Sequence, residues 1–151
     1  MNSEPRASAT TVRPQVSSTW RISDSPIIPL ESPFADARGS IQPLVDETMR
    51  SAVLISSKKG TIRANHVHHT DWHYCYVLKG SIEYHYRPEG SREEPLKVVI
   101  GEKQMFFTPA GVEHAMVFLE DTDFLCLGRN SREQDSYEAD ITRIQVYPYK
   151  D

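Results

Sequence analysis

The sequence predicts an all-β protein, built from many short strands in an antiparallel sandwich or barrel. From Trp20 onward, short apolar runs follow one another, and several alternate apolar with polar side chains, as half-buried strands do. Nearly every run is bounded by Gly, Pro, Asp, Asn or Ser, the residues of turns. No long stretch with a helical period separates the runs, and this spacing is typical of sandwiches and barrels.

The predicted strands all show this pattern of a short apolar run closed by turn residues. They are Ile27–Leu30, Ser40–Leu44, Ala52–Ser56, Gly60–Asn65, His73–Leu78, Ile82–Tyr86, Leu96–Ile100, Gln104–Thr108, His114–Phe118 and Thr122–Leu127. Arg132–Asp140 is the segment that predicts a short helix, and Ile141–Tyr149 alternates well enough to be a last strand. Residues 1–18, rich in Ser, Thr, Pro and Ala, predict a flexible, disordered tail. The rest of the chain, residues 19–151, is predicted to form a single domain.

The composition narrows the classes of function. The chain has 151 residues and a net charge of −4, which suits one domain with its own core. It has no basic stripe, which argues against a nucleic-acid partner. No apolar run approaches the roughly 20 residues that span a bilayer, and the first residues lack the apolar core of a secretory signal. Cys75 and Cys126, the two cysteines, lie in apolar runs. We expect buried thiols in a reducing cytoplasm, with a disulfide as the open alternative.

The histidines are unevenly placed, since all six lie between His66 and His114. His66 and His68 are two residues apart, so on a strand they project from the same face and can present two imidazoles to one ion. His73 opens the next apolar run and faces them across a hairpin. A Pro/Gly turn delivers His114 onto another strand. The alternative is that these are core or surface histidines satisfied by hydrogen bonds.

Two motifs around these histidines resemble those of a known family. Gly60 to Gly80 resembles the first cupin motif, G-x5-H-x-H-x4-E-x6-G, with His73 in place of the glutamate, and Pro109 to His114 resembles the second, P-x-G-x2-H. Two positions depart from the pattern, because Lys103 replaces a glycine and Phe118 an asparagine. The resemblance implies a cupin double-stranded β-helix, a jelly-roll barrel with its metal-site core at residues 60–118.

The same match implies a ligand set and a cofactor. It places one divalent transition metal (Zn, Fe, Mn or Ni) on His66, His68, His73 and His114. Neutral imidazole suits all of these ions. A site of four neutral ligands keeps the full charge of the ion, which favours an anionic, chelating ligand.

A looser resemblance concerns function. Phe34-Ala-Asp-Ala-Arg-Gly39 and Arg63-Ala-Asn-His-Val-His68 are similar to segments of dTDP-4-keto-6-deoxyhexose 3,4-ketoisomerases and dTDP-4-dehydrorhamnose 3,5-epimerases, and Tyr137–Ile144 resembles their acidic C-terminal segment. That group abstracts a proton beside a ketone with a strand histidine, typically without a metal. A metal-bound histidine cannot shuttle protons freely, so the complete ligand set of this chain is a difference.

We therefore expect an isomerase or epimerase acting on a carbonyl-bearing sugar in nucleotide-sugar or polysaccharide metabolism, with a metal that stabilises an enediolate. The proton would be moved by a group that is not a ligand, and His85 and Tyr76 are the catalytic candidates. Arg63 and Tyr84 are the candidates for substrate binding. Arg63 suits an anionic group, although it lies three residues before His66 and faces away from it unless a bulge intervenes.

Two acidic residues flank the motifs. Asp71 either orients a ligand imidazole through its second nitrogen or serves as a turn residue. Glu113 is expected to be a solvated residue at the rim of the site.

Two other functions stay open. One is a small non-haem dioxygenase, in which iron on the same imidazoles activates oxygen beside a chelating substrate. The other is a non-catalytic ligand-binding cupin, because fold does not fix function. In each case the partner is a small polar metabolite such as a nucleotide-sugar. Exposed sheet edges favour a homodimer, with the N-terminal strands or the C-terminal arm exchanged.

Overall fold

The computed structural model describes residues 16–151, which form two five-stranded antiparallel sheets, a separate hairpin and two short helices. The all-β, jelly-roll prediction is confirmed. In chain order the elements are α1 (Val16–Thr19), β1 (Ile27–Ile28), β2 (Phe34–Asp36), β3 (Gly39–Ile41), β4 (Ser51–Ser57), β5 (Ile62–His68), β6 (His73–Lys79), β7 (Ile82–Pro88), β8 (Leu96–Ile100), β9 (Met105–Thr108), β10 (Val112–Phe118), β11 (Thr122–Gly128), α2 (Gln134–Ala139) and β12 (Ile141–Arg143).

The strands are distributed over two layers. One sheet has the order β1-β9-β6-β11-β4 and the other β12-β5-β10-β7-β8, while β2 and β3 pair, within the described part of the chain, only with each other. The motif strands β5 and β10 are neighbours in the second sheet, and β6 lies at the centre of the first. The two sheets therefore bring both histidine motifs into one interior.

The core follows the period of two that the sequence shows. In β11 buried and half-buried residues alternate strictly, and Phe124 and Cys126 join the main core between the sheets. In β6, Cys75 and Val77 face that core, whereas Tyr74 belongs to a second cluster on the other face. Residues of the N-terminal segment, including Trp20, Leu30 and Leu44, pack against the second cluster. None of the described helices is long and apolar enough to cross a membrane.

Several boundaries differ from the sequence prediction. Of the predicted tail, residues 1–15 lie outside the described residues, and residues 16–18 belong to α1. The hairpin of β2 and β3 begins earlier than the strand predicted at Ser40–Leu44. Helix α2 is shorter than predicted because the Glu133 carboxylate accepts hydrogen bonds from the backbone N–H groups of residues 135 and 136, which starts the helix there.

A β-bulge in β5 changes which side chains face the barrel interior. His66 pairs with His114 and Ala64 with Ala115, so Asn65 is an extra residue in β5. Ala64 and Asn65 both adopt left-handed backbone conformations, with φ of 70° and 52°. The insertion reverses the alternation upstream of His66, and this places Arg63 on the cavity side.

Asn65 also ends the last strand. Its side-chain oxygen accepts hydrogen bonds from the N–H groups of Val146 and Tyr147 at 2.9 and 3.0 Å, and its amide nitrogen donates to the Tyr147 carbonyl. These bonds take the place of a sheet ladder. For this reason β12 stops at Arg143, and the predicted strand does not continue to Tyr149.

The outer strands of the sheets carry exposed apolar side chains. Leu54 on β4 is 73% exposed, and Leu96 and Val99 on β8 are 55% and 51% exposed. Such edges suit pairing with a second copy. The homodimer stays a prediction.

Candidate metal and catalytic site

Three of the four predicted ligands meet inside the barrel. One ring nitrogen each of His66, His68 and His114 lie within 4.8 Å of one another. His66 and His68 project from the same side of β5, and His114 is the direct register partner of His66 on β10. All three side chains are buried. The motif spacing and the sheet pairing together produce this cluster.

The protonation state of the cluster fits a cation. Burial lowers the pKa of His66 to about 2 and that of His114 to about 4, so both imidazoles are neutral at pH 7 with a lone pair free. His114 Nδ1 donates a hydrogen bond to the Val112 carbonyl at 3.0 Å, which leaves its Nε2 as the acceptor.

His68 gives the sharpest sign of a missing partner. Both of its ring nitrogens are buried without a hydrogen-bond partner among residues 16–151. Because an unsatisfied buried polar group is costly, such an atom calls for an explanation, and an ion is one of those accepted. Three neutral imidazoles with free lone pairs are a donor set for zinc, iron, nickel or manganese. The triad therefore fits a divalent transition metal.

His73, the fourth predicted ligand, is held differently. Its ring centroid is 4.8 Å from that of His68, yet its nitrogens are not part of the group of three. Its Nε2 lies 2.9 Å from Asp71 Oδ2, and the other carboxylate oxygen of Asp71 accepts a hydrogen bond from the Asn130 N–H at 2.9 Å. Burial lowers the pKa of His73, but Cys126 and Asp71 outweigh burial, so the net pKa is raised. Asp71 is thus a buried partner of an imidazole.

A glycine makes room for the His73 ring. A Cβ atom added at Gly128 would lie 2.8 Å from His73 Cδ2 and 2.7 Å from the Ser51 hydroxyl oxygen. Gly128 is the direct register partner of His73 across β6 and β11. The close approach explains why this end of β11 carries no side chain, and nothing in the sequence pattern singled it out.

The four imidazoles line a cavity of about 220 Å³. Its other polar walls come from Arg63, Arg132, Arg143, Tyr137 and Cys126, and its apolar walls from Ile55, Ala64, Met116, Phe124 and Ile141. Cations and neutral donors therefore surround the site.

Tyr137, on helix α2, covers the imidazoles. Its ring centroid lies 5.7 Å from that of His68 and 6.5 Å from that of His73. The guanidinium carbon of Arg132 lies 4.4 Å from the Tyr137 ring centroid. Burial raises the pKa of Tyr137 to about 12. Sequence reasoning noted this segment only as a resemblance and did not place Tyr137 or Arg132 in the site.

The residue that ends helix α2 fixes this cover in place. The Asp140 carboxylate accepts hydrogen bonds from the backbone N–H groups of Thr70 and Asp71 and from the Thr70 hydroxyl. Asp140 Oδ2 also lies 4.0 Å from His68 Nδ1. The same carboxylate therefore ties helix α2 to the turn that precedes His73.

The predicted substrate-binding residues lie near the triad in different ways. Arg63 lines the cavity, and its Nε donates to the Ser57 hydroxyl at 2.6 Å. Tyr84 is fully buried beneath the triad, with its ring centroid 5.8 Å from that of His114, and does not line the cavity. Burial raises the pKa of Tyr84 well above its usual value.

The structure places the predicted catalytic residues away from the cavity. His85 alternates with the core residues Tyr84 and Tyr86, so it faces the other side of β7, where its Nε2 lies 2.7 Å from Glu83 Oε1. Tyr76 lies on the opposite face of β6 from His73 and packs in the second cluster. Alternation along each strand decides both positions.

The expectation for Glu113 is wrong. The residue is 1% exposed, and its Oε1 accepts a hydrogen bond from Arg87 Nε at 2.7 Å. The other oxygen accepts the Gly90 N–H at 2.9 Å. Since β10 is the central strand of its sheet, Glu113 is enclosed rather than solvated at the rim.

The two departures from the family motif are accommodated by the fold. Lys103 stands where the motif has glycine and adopts a left-handed conformation with φ of 63°. Phe118 replaces the asparagine and is fully buried, stacked on Phe124 at a centroid distance of 5.9 Å. Neither change alters the histidine cluster.

Two facing antiparallel sheets with a histidine triad in their interior define a small β-barrel protein with a candidate metal site. The cupin domain family matches residues 53–127, and the chain belongs to the cupin superfamily. No curated protein matches the chain.

Solved structures share this fold at low sequence identity. The dTDP-4-dehydrorhamnose 3,5-epimerase from Sulfolobus tokodaii is 19% identical, with a TM-score of 0.62 over 84% of this chain and 86% of that one. QdtA, a sugar 3,4-ketoisomerase from Thermoanaerobacterium thermosaccharolyticum in complex with TDP, is 17% identical, with a TM-score of 0.60 over 74% and 82%. The capsular polysaccharide assembling protein CapF from Staphylococcus aureus is 20% identical, with a TM-score of 0.57 over 78% of this chain. The chain spans 35% of the length of CapF.

Proposed function

We propose that the chain is a metal-dependent isomerase or epimerase of a carbonyl-bearing sugar, in which His66, His68 and His114 hold the metal and His73 moves the proton. One observation carries the proposal. A single cavity contains three clustered imidazoles and, beside them, a fourth whose Nε2 lies 2.9 Å from a carboxylate oxygen. Assigning the metal to the three clustered imidazoles and the proton to the fourth gives each role its own histidine, so no metal-bound histidine has to move a proton.

The chain's own residues divide the work of such a reaction. A bound divalent metal supplies a Lewis acid that stabilises negative charge on a carbonyl or enediolate oxygen. With His73 Nε2 held at Asp71, the other ring nitrogen is left to accept a proton from the carbon beside the carbonyl. Asp71 stabilises the imidazolium that forms. Tyr137 covers the cavity and limits the access of water.

The substrate class is supported by the structural neighbours. The epimerase and the ketoisomerase that share the fold are named for reactions on sugars, and one QdtA structure holds TDP-4-keto-6-deoxyglucose. For this chain the sugar is part of the proposal. The three arginines of the cavity, Arg63, Arg132 and Arg143, suit a substrate that carries anionic groups.

Proton exchange with solvent tests the proposal without a coupled assay. Zinc-loaded protein is incubated in deuterium oxide with TDP-4-keto-6-deoxyglucose, and deuterium entry beside the ketone is followed by proton NMR. His73→Gln removes the proton acceptor and should slow exchange by roughly 100-fold or more. His85→Ala is the matched control, because it removes a second buried imidazole that lies outside the cavity, and should leave exchange within about twofold of wild type.

Two further variants separate the roles. Asp71→Asn should slow exchange while zinc stoichiometry, measured by elemental analysis, stays at one per chain. His66→Ala should lower the zinc content itself. Equal exchange rates for the His73 and His85 variants would refute the assignment of the proton to His73.

A dioxygenase is the second candidate, favoured by a specific feature of the triad. The group of three that the structure brings together contains only imidazoles and no carboxylate, and such a set suits iron as well as zinc. Oxygen uptake that requires added ferrous iron and a chelating diketone would select this function. Intact metal binding with neither proton exchange nor oxygen uptake would leave ligand binding as the function.

A further inference from the structure

Two thiols lie side by side in neighbouring strands next to the cavity. Cys75 of β6 and Cys126 of β11 are direct partners in the antiparallel register. Their sulfur atoms are 3.8 Å apart, and the Cys75 thiol donates a hydrogen bond to the Cys126 sulfur. Directly opposed antiparallel residues have Cα atoms about 4.5 or 5.5 Å apart, within the range that disulfides span. Bond formation therefore needs side-chain rotation and no shift of the strands.

The two sulfur atoms differ in their surroundings. Cys75 is fully buried, whereas Cys126 lines the cavity. A guanidinium nitrogen of Arg132 lies 4.0 Å from the Cys126 sulfur. A cation beside a thiol favours the thiolate, which is the form that attacks oxidants. An oxidant that enters the cavity therefore meets Cys126 first, with Cys75 directly behind it.

We propose that Cys126 and Cys75 are a peroxide-responsive pair, in which Cys126 is oxidised first and Cys75 closes an intramolecular disulfide. The Cys126 thiolate attacks one oxygen of hydrogen peroxide, the O–O bond breaks, and sulfenic acid and hydroxide result; the hydroxide takes up the proton that the Cys126 thiol released on ionising and leaves as water. The Cys75 sulfur then attacks the sulfenic sulfur, the S–O bond breaks, and the departing hydroxide takes the Cys75 proton and leaves as a second water. Two thiols and one peroxide give one disulfide and two waters.

The disulfide would change the wall of the cavity next to His73. His73 lies two residues before Cys75 on the same face of β6, and its register partner Gly128 lies two residues after Cys126. In the disulfide, the Cys126 sulfur turns toward Cys75 and no longer carries a negative charge beside Arg132. The pair therefore links the redox state of the surroundings to the site, independently of which reaction the site performs.

Thiol counting by mass spectrometry tests the pair directly. The full chain is reduced, stripped of metal with a chelator, treated with equimolar hydrogen peroxide, then denatured and alkylated. The wild-type monomer should lose the mass of two hydrogen atoms and take up no alkyl label. Cys75→Ala should stop at the sulfenic acid, which dimedone traps on Cys126. Cys126→Ala should keep its Cys75 thiol and react at least about tenfold more slowly.

A pair of arginine variants tests the reactivity of Cys126 without touching either sulfur. Arg132→Gln should slow disulfide formation several-fold. Arg38→Gln is the control, because its guanidinium pairs with Asp36 on the exposed hairpin and does not line the cavity, and it should react like wild type. The proposal is overturned if the wild type keeps both thiols while added glutathione is oxidised, if the disulfide joins two chains, or if Cys126→Ala reacts as fast as wild type.

Discussion

The buried pair of Glu113 and Arg87 should contribute a large share of the stability of the barrel. The Arg87 Nε donates to Glu113 Oε1 at 2.7 Å, and both residues are buried. Arg87 also donates to the Glu93 carbonyl at 3.0 Å, and Glu113 accepts the Gly90 N–H at 2.9 Å. Glu113→Ala would leave a buried guanidinium without its counter-charge and an N–H group without its acceptor.

The size of the effect follows from burial. Breaking a buried ion pair by removing one partner costs about 3–5 kcal/mol. Domains of this size have a free energy of unfolding of about 5–15 kcal/mol, so Glu113→Ala should lose about a fifth of it or more. The control is Asp36→Ala, which breaks the ion pair with Arg38 on the exposed hairpin and should leave the free energy of unfolding close to wild type.

Urea unfolding of the metal-free protein, followed by circular dichroism at pH 7, measures both variants. A third variant replaces Arg87 and Glu113 together by leucine, and should recover most of the loss because no buried charge remains. If Glu113→Ala is no more destabilising than Asp36→Ala, the pair is solvated in solution and the reasoning from burial fails.

Three other predictions concern the histidine site. Gly128→Ala places a methyl group 2.8 Å from the His73 ring, and should cost about 1–3 kcal/mol in urea unfolding and slow proton exchange, with zinc stoichiometry unchanged. Without metal, burial lowers the pKa of His114 to about 4 in the folded state, so the neutral His114 makes its full contribution to the free energy of unfolding above pH 6.5. As the pH falls through 4 this contribution is lost, and the free energy of unfolding drops by about 3 kcal/mol in total. Urea midpoints at pH 7, 5.5 and 4 measure this loss, and His114→Gln should show a flatter pH profile. Free zinc at about 100 times its dissociation constant should add about 2.7 kcal/mol to the stability of the wild type but not of His68→Ala, as measured by thermal unfolding. Equal zinc stabilisation of both proteins would contradict the role of His68.

The local pattern of apolar and polar residues predicted the strands of this fold well, but it predicted poorly on which side of a strand some side chains lie. Most of the β4–β11 boundaries agree within one or two residues because each apolar run ends at a turn residue. His66 and His68 share a face because strands have a period of two. The side of β7 on which His85 lies could not be predicted, because the left-handed backbone of Gly80, with φ of 100°, interrupts the alternation at the preceding turn.

Long-range contacts account for what the sequence did not predict. Tyr137 reaches His68 from a helix more than sixty residues away in sequence, and the anchoring of Asp140 at residues 70 and 71, together with the pairing of β12 with β5, holds it there. The carboxylate partner of His73 was named among the possibilities for Asp71, but spacing alone could not separate that role from a turn. Glu113 was predicted to be exposed because a charged residue beside a metal ligand is usually solvated. Its burial depends on the central position of β10, which only the order of strands in the whole sheet reveals.

The single inserted residue at Asn65 lets one strand present two kinds of side chain to the same interior. Upstream of it, odd-numbered Arg63 points inward, and downstream the even-numbered histidines do. If residues 64 and 65 took regular β conformations with Asn65 kept, Arg63 would stand three residues from His66 in an unbroken alternation, and its guanidinium would turn outward while the imidazoles kept their places. The left-handed backbone of two residues thus decides the charge of the chamber without replacing any residue that lines it.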